Sequence, residues 1–202
     1  MLNLIKCGIG NIGSIKNALN SIGCKPNVVE EPSQINYDLK KIILPGVGSF
    51  DSFIIALKKN RLFDKIKELV LINNYKILGI CVGMQSFFKK SEEGNEEGLD
   101  IIQGNLIKFN YSNGLKIPHM GWNDIQILNS DSLLNNLPKS KFYFAHSYFV
   151  TNINNNNILS VTDYGKKIPS SVQNKNIYGV QFHPEKSFIQ GQKILKNFID
   201  LC

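Results

Sequence analysis

The stretch from residue 75 to residue 83 reads Tyr75-Lys76-Ile77-Leu78-Gly79-Ile80-Cys81-Val82-Gly83, an apolar run that leads into a cysteine between two glycines. The run has the length and composition of a buried strand, and the residues after Cys81 are expected to begin a helix. Flanking glycines permit the sharp strand-to-helix turn known as a nucleophile elbow, which would lift the thiol toward solvent. The pattern predicts Cys81 as a nucleophile, but taken alone it fits a buried structural cysteine equally well.

Two features of such a turn favour chemistry at Cys81. The N-terminus of the next helix carries partial positive charge, which stabilises a thiolate. The backbone N–H of Val82 points to the place where an oxyanion forms during acyl transfer. Cys7, Cys24 and Cys202 have no comparable surroundings in the sequence, so we interpret all three as structural.

The residues before this stretch alternate between strands and helices. Strands are predicted at Leu2–Ile5, Asn27–Val29 and Lys41–Leu44. A first helix is expected to have Ser14 as its N-cap and to end at Gly23. Two further helices are predicted from apolar faces formed by Phe53, Ile54 and Leu57, and by Leu62, Phe63, Ile66, Leu69 and Val70. This alternation is typical of an α/β fold with a mostly parallel central sheet flanked by helices.

The second half of the chain has short strand patterns separated by Asn, Gly and Ser. Strands are predicted at Asn105–Asn110, Asp124–Leu128, Lys141–Val150, Ile158–Thr162, Ile168–Gln173 and Asn176–Phe182, and a final helix buries Ile194, Leu195, Phe198 and Ile199. These strands predict an antiparallel or mixed extension of the sheet. Because the 202-residue sequence has no repeat and no linker, we expect one domain over residues 1–202.

Composition and charge argue against several classes of function. The chain carries 23 Lys and Arg against 16 Asp and Glu, a net charge of +7, but its lysine pairs are scattered rather than clustered on one face. No apolar stretch is long enough to span a bilayer, and residues 1–10 lack the pattern of a signal peptide. The four cysteines form no CxxC pair and no zinc-ligand spacing with histidine. We therefore expect a cytoplasmic protein with reduced thiols that binds no metal, nucleic acid or membrane.

Among the three histidines, His183 has the setting of a catalytic base. It follows the apolar run 178–182, so it ends a predicted strand at the edge of the sheet where the Cys81 turn also emerges. Pro184 makes the next turn rigid, and Glu185 can then reach back to one ring nitrogen and leave the other for the thiol. Without the cysteine elbow, His183 would be interpreted as a capping or core residue. Together the three side chains would form a nucleophile, a base and an orienting acid.

The other two histidines are given different roles. His146 has no nearby carboxylate in the sequence and is expected to shape a pocket. His119 lies in the segment 118–122, whose neighbours suggest a contact surface.

A second glycine turn, Pro45-Gly46-Val47-Gly48, follows the third predicted strand. Its backbone N–H groups would lie at the same edge of the sheet as Cys81, so Gly48 and Val82 are predicted to supply the two donors of an oxyanion hole. The glycines would also permit a peptide flip at Val47, which makes regulation by assembly of this hole a hypothesis. Taken alone, the segment fits an ordinary strand-to-helix turn equally well.

A third glycine pattern, Gly8-x-Gly10-x-x-Gly13, matches a dinucleotide-binding fingerprint. It follows a strand and opens a helix, and Glu30 and Glu31 fall near the place of a ribose-binding acid. A nicotinamide-dependent oxidoreductase is therefore an alternative. It is disfavoured because no second substrate domain follows and because it leaves the cysteine elbow and the His-Pro-Glu segment unexplained.

Over essentially the whole chain, the motifs resemble those of class I glutamine amidotransferases. Gly79–Gln85 (GICVGMQ) is similar to the segment that carries their catalytic cysteine, and Gln181–Ser187 (QFHPEKS) to the segment that carries their histidine and glutamate. More narrowly, Pro45–Phe50 (PGVGSF), Pro118–Asn123 (PHMGWN) and Phe144–Tyr148 (FAHSY) together resemble the glutaminase subunits of imidazole glycerol phosphate synthases.

The resemblance implies a class I glutamine amidotransferase fold and a reaction at Cys81. Glutamine would be hydrolysed through a glutamyl thioester, and the ammonia would pass to a (β/α)8-barrel cyclase subunit in a heterodimer of the histidine pathway. No metal or organic cofactor is implied. The residues that match family positions for the amino-acid end of glutamine and its pocket are Gln85, Glu93, Ser147 and Tyr148, and those that match the partner interface are Asn11, Trp122 and Lys186.

Departures from the family pattern keep alternatives open. Ser91–Leu99 (SEEGNEEGL) also resembles paralogues that supply ammonia for modification of surface-polysaccharide sugars, where the reaction would be identical and the acceptor different. Cys7–Asn11 (CGIGN) replaces a more usual DYGMGN opening, and this segment includes Asn11, one of the residues that match the partner interface. Val82 replaces a more usual leucine, which matters little because the donor is backbone. An inactive scaffold that only binds the partner, and a cysteine hydrolase of other amides, are further alternatives.

Overall fold

The structure of the protein is a computed structural model that describes residues 1–8, 12–110, 114–129, 132–137 and 141–202. The strands are β1 (Asn3–Ile5), β2 (Asn27–Val29), β3 (Lys41–Gly46), β4 (Lys76–Cys81), β5 (Lys90–Ser91), β6 (Asn105–Lys108), β7 (His119–Asp124), β8 (Gln126–Ile127), β9 (Lys141–His146), β10 (Tyr148–Thr151), β11 (Ile158–Asp163), β12 (Lys167–Asn174) and β13 (Ile177–Val180). The helices are α1 (Ile12–Ser21), α2 (Phe50–Lys59), α3 (Phe63–Lys67), α4 (Val82–Gln85) and α5 (Phe188–Asp200). A π-helical turn at Glu68–Ile72 continues α3, and 3-10 turns lie at Pro32–Gln34, Asn155–Asn157 and Pro184–Lys186.

Within these described residues, eight strands form a central sheet in the order β2-β1-β3-β4-β13-β12-β11-β8. The five strands from β2 to β13 pair in parallel. The other three, β12, β11 and β8, continue the sheet antiparallel. This topology confirms the predicted mostly parallel sheet with an antiparallel extension.

The carboxyl ends of three neighbouring parallel strands meet at one edge of this sheet. Gly46, the last residue of β3, lies opposite Cys81, the last residue of β4. Val180, the last residue of β13, lies opposite Ile80. The glycine turn after β3, the Cys81 turn and the segment that carries His183 therefore leave the sheet side by side, at the edge where α/β folds place their ligands.

Two smaller sheets stand beside the central one in the described part of the chain. Strands β10, β6 and β5 form one of them, and β7 and β9 form an antiparallel pair. Ser147 separates β9 from β10, so the chain changes sheet at this residue. The pair β7–β9 is tied to the catalytic edge because the backbone N–H of His183 donates to the carbonyl of Tyr143 on β9, at 2.8 Å.

The core is built around β4, in which every residue from Ile77 to Cys81 is buried. This continuous burial fits a strand with parallel neighbours on both sides. Each fully buried Leu, Ile or Phe stabilises the fold by about 1.5–3 kcal/mol relative to exposure. The helices contribute Ile15 and Leu19, then Phe53 and Leu57, then Ile194, Leu195 and Phe198 to the same cluster.

Several local predictions were wrong. The first helix begins at Ile12, so Ser14 lies inside it instead of capping it, whereas Gly23, at φ +80°, does follow its last turn as predicted. The predicted strand Lys141–Val150 is two strands, because its halves pair with different partners, β9 with β7 and β10 with β6. The segment His119–Asp124 is strand β7, which the sequence patterns did not indicate.

Candidate active site

Cys81 occupies the sharp turn that its flanking glycines predict. Its backbone has φ 54° and ψ −114°, a left-handed conformation that a non-glycine residue rarely adopts. A Cβ atom at Gly83 would lie 1.8 Å from the carbonyl oxygen of Leu44, and one at Gly79 would lie 2.5 Å from the ring of Phe87. Glycine is therefore required on both sides of the nucleophile by close packing of the backbone.

Two expectations about this turn need correction. Cys81 does not stand clear in solvent, since only 3% of the residue is exposed. Neighbouring groups cover it, because its Sγ donates to the carbonyl of Ala145 at 3.9 Å and accepts from Nε2 of Gln181 at 3.8 Å. The helix that follows, α4, is a single turn, closed by the Ser86 N–H on the carbonyl of Val82 at 2.8 Å. The partial positive charge expected at its N-terminus is correspondingly small.

His183 and Glu185 meet at the end of β13. Nδ1 of His183 lies 2.8 Å from Oε1 of Glu185, and both side chains are more than nine-tenths buried. The 3-10 turn Pro184–Lys186 makes this short-range contact, and the hydroxyl of Ser187 donates to the His183 carbonyl at 2.6 Å. The rigid turn after Pro184 thus brings the carboxylate back to the ring, as predicted.

The electrostatics of His183 link it to the cysteine. Burial by itself lowers the pKa of His183, but the charge of Cys81 and a hydrogen bond to its side chain outweigh this effect, and Glu185 adds to them. Together they raise the pKa of His183 to about 10. The imidazole therefore keeps its proton near neutral pH, and it forms a hydrogen bond with the Cys81 side chain. The structure brings the three predicted side chains together.

The second glycine turn follows β3 and lies beside the Cys81 turn. Gly46 is opposite Cys81 in the β3–β4 register, and Gly48 has φ +91°, a conformation that suits glycine. Gly48 and Val82 both line a cleft of about 210 Å³ whose wall also includes Cys81.

All four residues that the resemblance assigns to glutamine binding line the same cleft: Gln85, Glu93, Ser147 and Tyr148. Oε2 of Glu93 accepts the backbone N–H of Phe50 at the start of α2, at 2.7 Å. Burial raises the pKa of Glu93, and this N–H partly counteracts it. The Nε2 group of Gln85 is already engaged, since it donates to the carbonyl of Tyr148 at 3.3 Å and to Oε1 of Gln181 at 3.0 Å.

The predicted interface residues fall in different settings. Trp122 is 43% exposed on β7, and its ring stacks on the exposed ring of Phe188, with centroids 5.1 Å apart and an angle of 6°. Nζ of Lys186 lies 5.2 Å from the centroid of the Tyr143 ring. Asn11 lies outside the described residues. Phe188 was not identified from the sequence, where its signal is an apolar pair, Phe188-Ile189, that begins three residues after Glu185.

The structure bears on the other two histidines and on the described part of the dinucleotide pattern. His146 lines the cleft, as expected, but His119 is buried and does not itself form a contact surface. Gly13 lies inside α1, and residues 9–11 of the glycine pattern are outside the described residues. Glu30 forms an ion pair with Lys6 at 2.7 Å.

The described residues contain neither a candidate metal site nor a candidate membrane-spanning helix. No group of three or more His, Cys, Asp or Glu side chains there is arranged to hold a metal ion. None of the helices there combines the length and the apolar character needed to cross a bilayer. All four cysteines are buried, and none forms a disulfide within the described residues.

The chain is similar in sequence to known proteins over nearly its whole length. A family model described as glutamine amidotransferase class-I matches residues 3–201. The chain is 45% identical over 200 residues to a Methanococcus maripaludis protein named imidazole glycerol phosphate synthase subunit HisH 2, with 98% of each chain covered. It is 43% identical over 196 residues to the HisH subunit of Carboxydothermus hydrogenoformans, with 96% of each covered. For the HisH subunit of Bacillus subtilis the identity is 37% over 207 residues, with 100% of this chain and 97% of that one covered.

Solved structures have the same fold. A crystal structure described as a glutamine amidotransferase superposes with a TM-score of 0.78 at 16% identity, covering 100% of this chain and 98% of the other. The structure of PurLQS from Thermotoga maritima superposes with a TM-score of 0.76 at 20% identity, covering 98% and 97%.

Proposed function

The chain belongs to the class-I glutamine amidotransferase family, and from that premise we propose that it is the glutaminase subunit of an imidazole glycerol phosphate synthase. It hydrolyses L-glutamine to glutamate and ammonia in histidine biosynthesis. The observation that carries the proposal is the hydrogen bond between Cys81 and His183, whose ring also contacts Glu185, beside a cleft lined by Gln85 and Glu93. Full-length relatives named as HisH subunits support the choice of pathway.

In the proposed reaction, the Cys81 thiolate attacks the carboxamide carbon of glutamine and forms a C–S bond. The backbone N–H groups of Gly48 and Val82 stabilise the oxyanion of the tetrahedral intermediate. The protonated His183 then gives its proton to the leaving nitrogen, the C–N bond breaks, and ammonia departs from a glutamyl thioester. Water attacks the thioester while His183 takes its proton, and glutamate leaves as the thiolate is restored. Glu185 orients the imidazole throughout.

Substrate recognition rests on the residues of the cleft. The carboxylate of Glu93 suits the α-ammonium group of glutamine, and the segment Ser147–Tyr148 lines the pocket beside it. Gln85 is best placed to act through its carbonyl oxygen, because both hydrogens of its amide group are used inside the protein. No metal or organic cofactor takes part in the proposed reaction.

We also propose a heterodimer with a (β/α)8-barrel cyclase subunit that receives the ammonia. The word subunit in the relatives' names supports a partner, and the exposed stacked rings of Trp122 and Phe188 offer an apolar contact for it. Asn11 and Lys186 belong to the same proposed interface. Residues 1–202 act as one glutamine amidotransferase domain in the cytoplasm, in keeping with the family match over 3–201 and with cysteines that form no disulfide within the described residues.

The proposal is tested by glutamate release from glutamine, measured with and without the purified cyclase subunit, for the wild type and for Cys81→Ala. We expect low activity alone, stimulation by the partner, and no activity in the alanine variant. Full activity of Cys81→Ala would reject the mechanism. Partner binding without turnover in the wild type would favour an inactive scaffold, and hydrolysis of other amides without glutamine turnover would favour a different cysteine hydrolase.

The ammonia acceptor is tested separately, by rescue of a histidine auxotroph that lacks this subunit. Growth without histidine supports the proposed pathway. Failure to rescue, despite good expression together with its own cyclase subunit, would favour the surface-polysaccharide paralogue suggested by the segment Ser91–Leu99.

A further inference from the structure

A series of hydrogen bonds through two buried histidines leads from strand β7 to the wall of the cleft. Nδ2 of Asn123 lies 3.2 Å from Nε2 of His119. Nδ1 of His119 lies 3.0 Å from Nε2 of His146. Nδ1 of His146 lies 2.8 Å from the carbonyl oxygen of Tyr148.

The donor and acceptor groups at the two ends of this series determine which nitrogen of each histidine ring carries a proton. A carbonyl oxygen only accepts, so Nδ1 of His146 must carry a proton and donate it to Tyr148. In a neutral imidazole the other nitrogen is then an acceptor, so His119 donates from Nδ1 to Nε2 of His146. Nε2 of His119 is left to accept from Asn123, whose second amide hydrogen goes to the carbonyl of Asp163 at 2.8 Å. Each ring thus has one tautomer.

The surroundings keep both rings neutral and fixed. Burial is the main reason that the pKa of His146 is lowered to about 3; the hydrogen bond to the Tyr148 carbonyl opposes it, and electrostatic interactions with His119 and His183 add to it. Burial lowers the pKa of His119 to about 4. His119 is also held by stacking on Phe144, with centroids 4.6 Å apart, and on Tyr164, with centroids 4.0 Å apart.

From the Tyr148 carbonyl, a second series leads to the nucleophile. The same oxygen accepts from Nε2 of Gln85, at 3.3 Å. The second hydrogen of that amide goes to Oε1 of Gln181, at 3.0 Å. This orients the Gln181 amide so that its Nε2 donates to Sγ of Cys81, at 3.8 Å. The Tyr148 carbonyl is therefore the point at which the histidine series and the glutamine series meet.

We propose that His146, supported by His119, is a positioning residue of the glutaminase site: it fixes the Tyr148 carbonyl and, through Gln85 and Gln181, the environment of the Cys81 sulfur. The inference rests on the proposed function for its link to glutamine binding. The cleft supports that link, since His146, Gln85 and Tyr148 all line it beside Cys81. The Tyr148 carbonyl accepts from His146 and also from Gln85, which leads through Gln181 to Cys81. A pair of histidines with a purely structural role would not need this connection to the nucleophile.

A matched pair of substitutions at His146 tests the proposal. In His146→Asn the amide nitrogen takes the place of Nδ1 and keeps the bond to Tyr148, whereas His146→Leu removes the donor at similar size. Loss of one buried hydrogen bond predicts a change of up to about tenfold in an equilibrium or rate constant. We expect His146→Leu to raise KM for glutamine by about tenfold, measured with the cyclase subunit, and His146→Asn to recover most of that loss.

A second measurement does not depend on glutamine. The rate of Cys81 alkylation by iodoacetamide is followed against pH, with peptide mass spectrometry to separate Cys81 from the other three cysteines. We expect the alkylation profile of His146→Leu to move to higher pH and that of His146→Asn to stay close to the wild type. If His146→Leu does not fold, His119→Phe is used, which keeps an aromatic ring for stacking but removes both the donor to His146 and the acceptor for Asn123, with His119→Asn as its rescue.

The outcomes distinguish a failure of the proposed glutaminase function from a failure of the positioning role of His146. A wild type without glutaminase activity contradicts the proposed function, while the alkylation profiles still decide the positioning role. A wild type with glutaminase activity, together with unchanged KM and unchanged alkylation in His146→Leu, overturns the inference. Equal impairment of His146→Leu and His146→Asn would also overturn it, because the donor to Tyr148 would then not be what matters.

Discussion

Nδ1 of His183 lies 2.8 Å from Oε1 of Glu185, two residues further along the chain. The carboxylate accepts the Nδ1 proton, so Nε2 is left for the sulfur of Cys81. The turn begun by Pro184 makes the contact local, which means that base and orienting acid are placed by one short segment. The contact of this segment with the Cys81 turn depends on the rest of the fold, because the pairing of β13 with β4 places the two side by side.

The titration of His183 should depend on Cys81. Burial lowers the pKa of His183, whereas Cys81 provides the largest effects in the opposite direction, and the balance raises it to about 10. A ring with a raised pKa keeps its proton as the pH rises through neutrality. In Cys81→Ala the pKa should therefore fall, so that His183 loses its proton at lower pH than in the wild type. NMR of the imidazole Cε1–H signal against pH measures this, and identical curves would contradict the contact.

Neutralising the orienting carboxylate should slow turnover without abolishing the fold. Glu185→Gln keeps the size of the side chain but removes the charge that favours the imidazolium and can reverse the tautomer of His183. By analogy with other triads, we expect kcat to fall on the order of 10²–10⁴-fold. Steady-state kinetics with the cyclase subunit provide the measurement, and His183→Ala provides the comparison. Near-wild-type kcat in Glu185→Gln would argue against a triad.

A methyl group at Gly83 should disrupt the Cys81 turn. Its Cβ would lie 1.8 Å from the carbonyl oxygen of Leu44, which belongs to a core strand and has little room to move. We expect Gly83→Ala to lose about 3 kcal/mol of unfolding free energy and most of its activity. Gly23→Ala is the control: it has open space around it and a φ of +80°, so it should lose about 1–2 kcal/mol and keep its activity. Urea denaturation and glutamate release test both variants.

The stacked rings of Trp122 and Phe188 should anchor the partner. Aromatic residues at the centre of an interface typically contribute about 2 kcal/mol each when truncated to alanine. We expect Trp122→Ala and Phe188→Ala each to weaken the Kd for the cyclase subunit by about 30-fold. Ile72→Ala is a control, because Ile72 is about as exposed as Phe188 and more exposed than Trp122, but it precedes the amino end of β4, away from Cys81. Calorimetric titration measures the affinities, and equal Kd values for all variants would place the interface elsewhere.

The sequence predicts the parts of this site that local patterns determine. Glycines around Cys81 indicate a tight turn because few other residues allow one, and Pro184 with Glu185 indicates a local contact with His183. The parallel order of the strands follows from the alternation of strand and helix. These predictions depend on neighbouring residues and not on which distant segments of the chain pair with each other.

The parts that depend on distant pairing were not predictable. The run Lys141–Val150 is mostly apolar and reads as one strand, and its pairing with β7 and β6 divides it at Ser147. Burial of His119 follows from its place on β7 opposite His146, a pairing across 27 positions of the chain. Gln181 reaches Cys81 because β13 and β4 run in register, and nothing in its own neighbourhood indicates a contact with sulfur.

The most direct test of the account is to find the covalent intermediate. Wild-type protein with its cyclase subunit is mixed with glutamine, quenched in acid and analysed by intact-mass and peptide mass spectrometry. We predict a mass increase of one glutamyl group, located on Cys81 and absent in Cys81→Ala. Glutamate release by Cys81→Ala, or a glutamyl group on Cys7, Cys24 or Cys202 instead, would contradict the assignment of Cys81 as the nucleophile.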